Sequence, residues 1–225
     1  MQSTPASRKE DRTLLKQAAP ANLVNKQGRK IAIFVDTLNA TGVVRNAVAI
    51  ANRMASDGWR VSLIAARAEG PMRASVQPGI TIHQVVEGGS PRLTRRRRLI
   101  GAIQGYRRFL RSFQPEILLS AGNHGHLPTL LAAGAAPDCN TVFRISNDIE
   151  HRQGGKLKPS FSRLARRIQL QLVRKRADLM ILVSPHLRNN PVIHRAAVEG
   201  KITVIDNGVD VEAVRRDARN DCDHP

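Results

Sequence analysis

The stretch Ser120-Ala-Gly-Asn-His-Gly-His126 gathers more chemistry than any other part of the chain. Glycines at 122 and 125 suit a tight turn that presents Asn123 and His124, and an imidazole there can donate to or accept from a sugar hydroxyl or a phosphate. Capping of the following helix is the plainer role for the same histidine, and the residues alone leave both open. His126 stands close by in sequence, but no acidic or thiol ligand accompanies the pair, which argues against a metal site. A second loop, Asp36-Thr-Leu-Asn-Ala-Thr-Gly42, would let the backbone approach a phosphate at a helix N-terminus, where free N–H groups and the helix dipole favour an anion. It holds one glycine and no Gly-x-Gly-x-x-Gly, so a dinucleotide fingerprint is absent and an ordinary strand-to-helix turn competes. A third, Arg144-Ile-Ser-Asn-Asp-Ile-Glu-His151, sets Asp148 and Glu150 beside Asn147, where acids can orient hydroxyls. Paired carboxylates also raise glycoside hydrolysis, against which a solvated loop is the simpler account. Ser184 lacks the Gly-x-Ser-x-Gly setting of an activated nucleophile, and no catalytic residue is identified.

Those loops need elements to hold them. Ile31–Val35 is a continuous apolar run suited to a parallel strand buried on both faces. Val43–Ser56 predicts a helix with Val44, Ala47, Val48, Ala51 and Ala55 on one face, ended by Asp57-Gly58. Further strands are predicted at Arg60–Ala65, Ile80–Val86, Ile117–Ser120, Thr141–Ile145, Leu179–Val183 and Ile202–Ile205. Between them lie a helix over Arg92–Phe113 with Leu99, Ile103, Tyr106, Leu110 and Phe113 buried, and a short one at Leu127–Ala133. Another covers Ser160–Arg176, with Phe161, Leu164, Ile168 and Leu172 facing inward. Strand–helix alternation of this kind means an α/β domain with a doubly wound parallel sheet, Rossmann-like in character.

A net charge of +18 predicts attraction to polyanions. It concentrates in two helices that hold no acids. Arg92, Arg95, Arg96, Arg97, Arg98, Arg107, Arg108 and Arg111 lie in the first, and Arg163, Arg166, Arg167, Arg174, Lys175 and Arg176 in the second. Such surfaces suit an anionic membrane, with Arg95–Arg98, Arg166 and Arg167 as its contacts. Nucleic acid would be served by the same charge, but no nucleic-acid motif appears and aromatics for base stacking are few. Two cysteines, Cys139 and Cys222, make no disulfide framework, and a reducing cytoplasmic setting follows. No segment approaches the roughly 18 apolar residues of a membrane span. Met1–Lys30 is polar and basic, without the apolar stretch of a secretory signal.

Taken together, Thr41-Gly42, Asn123-His124-Gly125, Ser184 after its strand and Ile202-Thr-Val-Ile-Asp-Asn-Gly-Val209 resemble the N-terminal half of a family 4 glycosyltransferase of GT-B fold. The family usually has two adjacent glycines in the first loop, an acidic residue where Val44 stands, and proline where Asp206 stands. The resemblance implies residues 1–29 as a flexible basic arm, 30–210 as the acceptor-side domain, and 211–225 as a truncated interdomain linker or tail. It implies a retaining sugar transfer from a nucleotide sugar to a saccharide or lipid-linked acceptor hydroxyl, with no metal or other cofactor. Thr41, Gly42 and His124 would then contact the donor, and Asn123, Arg144, Asp148 and Glu150 the acceptor. The donor-binding domain would be supplied in cis or trans, and the chain alone would be inactive. It would also expose an apolar patch beside the three loops. Peripheral attachment to the inner face of the cytoplasmic membrane accompanies this expectation. The rivals are a non-enzymatic basic module that binds anionic lipid or nucleic acid, and half of a GT-B sugar epimerase.

Overall fold

Apolar runs form the centre of the fold. The computed structural model describes residues 28–86, 95–147 and 160–208, together with 211, 215 and 218; of 95–102 and 160–163 it describes the backbone alone. Strand β1 (Lys30–Thr37) buries Ile31 to Val35 and pairs in parallel with β2 (Arg60–Arg67) on one side and β4 (Ile117–Ser120) on the other. With β3 (Thr81–Gln84), β5 (Asn140–Ile145), β6 (Leu179–Leu182) and β7 (Ile202–Val204) they make one parallel sheet, ordered β3-β2-β1-β4-β5-β6-β7. The chain winds outward from β1 through β2 to β3, then restarts at β4 and winds the other way. The order therefore reverses between β1 and β4, the place where open α/β sheets leave a crevice for ligands.

Helix α1 (Gly42–Ser56) lays Val44, Ala47, Val48 and Ala51 on Ile31, Ile33, Val35 and Leu63, as its spacing predicts. Thr41 caps its start by accepting the Val44 N–H at 3.4 Å, and Gly58 (φ 87°) takes the left-handed turn beyond its end. The other face carries α2 (Arg95–Phe113), α3 (His126–Ala132), α4 (Ser160–Arg176) and α5 (Pro191–Val198) side by side. Tyr106 and Leu110 of α2 are fully buried among Phe34, Ile64 and Leu118, and the Tyr106 and Phe34 rings stack at 4.8 Å. Gly105 lets α2 come this close, because a Cβ there would stand 2.4 Å from the Val85 carbonyl oxygen.

Three expectations change. Helix α4 faces the other way: Leu170 and Val173 are buried against Phe143 and Met180, while Leu164, Ile168 and Leu172 are 55%, 51% and 45% exposed. The helix carries two overlapping apolar stripes, and the sheet selects the one that continues into Ala177. Phe161 lies outside the described side chains, as does Leu99. In α2, Phe109 joins the buried set, and Ile103 and Phe113 are only half-buried. Edge strand β3 is shorter than Ile80–Val86, because its pairing with β2 spans only Thr81 to Gln84.

Candidate functional site

At the β1/β4 reversal the strand ends enclose a cavity of about 480 Å³, within the size range of small-molecule sites. Asp36, Thr37, Asn39, Thr41 and Val43 form one wall, from the end of β1 into α1. Gly122, Asn123, His124 and Gly125 form the facing wall, between β4 and α3. Arg67 closes one side from the end of β2, and Ser146 and Asn147 the other from the end of β5.

The two walls interlock at their glycines. A Cβ on Gly122 would lie 2.5 Å from Val43 Cγ1, and one on Gly125 would lie 2.7 Å from Phe34 Cδ1 and 3.1 Å from Ser120 Oγ. The turn is closed by the Gly125 N–H on the Gly122 carbonyl at 2.8 Å. Beneath it, His126 is fully buried, with Nδ1 2.8 Å from Ser120 Oγ and its ring edge-on to Phe143 at 5.4 Å. Burial, helped by the neighbouring His124, pushes its pKa down to about 3, so it is neutral wherever the fold persists near neutral pH. His126 Nε2 has no hydrogen-bond partner among the described residues. The effect is to anchor both ends of the turn and leave His124 on the cavity side. Asn123 is held by its own amide, which donates to the Asn147 side chain, and by Gln169 of α4, which donates to its carbonyl at 3.4 Å.

Of the residues singled out in the sequence, Thr41, Asn123 and His124 meet in this cavity. Gly42 is exposed as the first residue of α1. Arg144 lies elsewhere, buried within β5. It donates to the Ala121 carbonyl at 3.2 Å and to the Asn207 side chain, and burial draws its pKa down. It thus fastens the Asn207-Gly208 segment to the start of the Asn123 turn. Asp148 and Glu150 lie outside the described residues, as do the side chains of Arg95, Arg96, Arg97 and Arg98. Arg166 is half-buried and Arg167 exposed on α4. Arg67 was not foreseen, although an arginine ending a parallel strand at its carboxyl end was a signal for it. Its Nε and the Asn123 Oδ1 are buried and lack hydrogen-bond partners among the described residues, so each presents unused polar capacity to a ligand. Among the described residues no group of three or more His, Cys, Asp and Glu is placed to hold a metal ion.

Comparison with known proteins gives the family and the fold. The family model described as Glycosyltransferase Family 4 matches residues 40–213. No curated protein matches the sequence. Similar solved structures include a sucrose-phosphate synthase from Thermosynechococcus elongatus, with TM-score 0.58 and 14% identity, covering 88% of this chain and 54% of that one. MurG from Acinetobacter baumannii gives TM-score 0.54 and 14% identity, over 80% of this chain and 46% of that one. A UDP-N-acetylglucosamine 2-epimerase gives TM-score 0.54 and 14% identity, over 88% and 53%. This chain spans about half the length of each of these three. At such identities the likeness is one of fold: a Rossmann-like α/β domain shared with GT-B proteins.

Proposed function

The chain belongs to glycosyltransferase family 4, and on that premise we propose that it is the acceptor-side half of a retaining GT-B enzyme that moves a sugar from a nucleotide sugar to an acceptor hydroxyl. The observation that carries this reading is the cavity at the β1/β4 reversal, where Thr41, Asn123 and His124 converge. An acceptor seats against Asn123, with Asp148 and Glu150 in the same role, while His124 reaches toward the donor sugar from its anchored turn. Thr41 and Gly42, at the positive end of α1, face the donor phosphates. The acceptor hydroxyl oxygen bonds the sugar's C1 as the bond from C1 to the nucleotide diphosphate breaks; the diphosphate leaves with the bonding pair and takes up the hydroxyl proton, and preorganised positive charge stabilises the anion as it develops. Arg144 is the one site residue whose role changes, from acceptor contact to a brace between the Asn123 turn and Asn207. The rest of the donor site comes from a second domain in cis or trans, and the transfer requires no metal.

The test is turnover of nucleotide sugars by the 225-residue polypeptide, alone and with a family 4 donor domain supplied, with and without a chelator. Transfer is expected only with the donor domain, insensitive to chelation, and about 100-fold slower in His124→Ala. Turnover by the polypeptide alone would contradict the half-site, and silence with every donor domain would contradict transfer. The likeness to an epimerase fold supplies a second reading. It predicts an isomerised sugar formed without any acceptor.

A further inference from the structure

The cavity holds one guanidinium that the transfer reading leaves without a task. Arg67 ends β2 and lines the cavity from that side, and its Nε–H is buried without an acceptor among the described residues. Asp36 is the carboxylate of the same cavity, and it takes no hydrogen bond from that Nε. The backbone around Arg67 is pinned on both sides. Arg67 pairs with Thr37 in the β1–β2 ladder, and the next residue, Ala68, donates its N–H to Gln84 Oε1 at 3.1 Å. Gly70 (φ 136°) then crosses the exit of β1 so closely that a Cβ there would lie 2.3 Å from the Leu38 carbonyl. The Leu38 N–H on the Glu69 carbonyl, at 3.1 Å, and the Met72 N–H on the Leu38 carbonyl, at 3.0 Å, close the crossing. A side chain carried on so fixed a strand end meets a ligand at a defined place.

We propose that the acceptor is an acidic sugar, and that Arg67 reads its carboxylate or phosphate while Asn123 and His124 meet its hydroxyls. A buried N–H without an acceptor is costly, and the guanidinium fork matches the paired oxygens of an oxyanion as it matches no single hydroxyl. The orphaned Asn123 Oδ1 has the opposite need: as an acceptor it takes a hydroxyl and not an anion. The ends of β2 and β4 stand two strand spacings apart, about 10 Å, so the two needs suit one sugar-sized ligand charged at one end. Donor phosphates are a poorer fit to Arg67. Thr41 and Gly42 are exposed at the start of α1, open to a second domain, whereas Arg67 Nε is screened from solvent on the cavity wall. The acceptor role rests on the transfer reading, while binding of the acidic sugar can be measured without turnover.

The experiment is heteronuclear NMR of the full chain at physiological salt, titrated separately with glucose 6-phosphate, glucuronate, glucose and uridine diphosphate. The acidic sugars should shift the Arg67 Nε–H and the Asn123 side-chain amide, and the tighter of the two separates phosphate from carboxylate. Glucose should bind at least about tenfold more weakly, and Arg67→Gln should weaken the acidic sugars by about tenfold or more while leaving glucose unchanged. Arg67→Lys should recover part of that loss, since it keeps the charge without the fork. Arg107→Gln/Arg167→Gln, at exposed positions outside the cavity, should change nothing, and thermal melting checks that each variant folds. An equal loss in that control would reduce the effect to bulk charge and overturn the proposal. So would unchanged binding in Arg67→Gln, glucose bound as tightly as the acidic sugars, or an Arg67 Nε–H that neither acidic sugar moves. An Arg67 signal shifted by uridine diphosphate alone would give the residue to the donor and overturn it equally. If Arg67→Gln fails to fold, the Arg67 Nε–H of the native chain still decides. With a donor domain supplied, transfer to neutral acceptors as fast as to acidic ones would sink the acidic acceptor and leave the transfer reading standing. Acidic sugars bound at Arg67 with no transfer under any donor domain would keep the anion site and sink the transfer reading.

Discussion

Lowering the pH from 6.5 to about 5 should destabilise this domain through a single buried ring. In the folded chain His126 is fully enclosed, and its pKa is pushed down to about 3 by burial first and by His124 second. In the unfolded chain it titrates near the ordinary value of 6.5. A group whose folded pKa is depressed leaves stability intact above its unfolded pKa and withdraws it as the pH falls toward the folded one. Below pH 6.5 the unfolded state therefore binds a proton that the folded state refuses. The loss is about 1.4 kcal/mol per pH unit, or about 2 kcal/mol by about pH 5. For a domain of this size that lowers Tm by about 4–8 °C. The assay compares the native chain with His126→Asn by thermal and denaturant melting across this window. The variant loses packing against Phe143 and is weaker throughout, so the decisive quantity is the difference in pH slope, in which the other histidines cancel. Equal slopes would refute a buried neutral imidazole. Should the variant not fold, a His126 ring in the native chain that titrates near 6.5 by NMR would refute it as directly.

Other outcomes follow from the same packing. Gly125→Ala drives a methyl group into Phe34 and Ser120, both fully buried, and should cost about 1–3 kcal/mol, while Gly134→Ala, which meets nothing within 4 Å, should leave Tm nearly unchanged. Equal melting of the two would contradict the close approach of the walls. Tyr106→Phe removes a buried hydroxyl 3.4 Å from Thr129 Oγ1 and should cost about 1 kcal/mol in denaturant melts. Burial also raises the Tyr106 pKa, so absorbance titration of the folded protein should show this phenol un-ionised in the usual tyrosine range. Arg144→Met leaves the Ala121 carbonyl and the Asn207 side chain without their donor. It should cost about 1–3 kcal/mol and speed hydrogen exchange near residues 205–208 more than in β1. Uniform exchange across both would refute the bracing role.

Much of this architecture was legible because parallel strands buried on both faces must be apolar throughout. Ile31–Val35 therefore announced itself, Leu179–Val183 was equally apolar although only Met180 and Leu182 in it are fully buried, and the glycine-bearing loops at the ends of the strands pointed to Thr41, Asn123 and His124. Arg67 did not stand out, since one arginine at a strand end is lost in a chain with 36 Lys and Arg. Nor could spacing alone say which of His124 and His126 turns inward. That depends on Ser120 and Phe143, which offer His126 a hydroxyl and an aromatic face six and seventeen residues away. Helix α4 shows the same limit more sharply. The 164/168/172 row and the 170/173/177 row are both apolar, and periodicity measures their presence without saying which one the sheet takes. The sheet took the second, which is buried in one cluster with Phe143 and Met180, and the first row was left in solvent. A helix with two apolar rows satisfies the core with one of them.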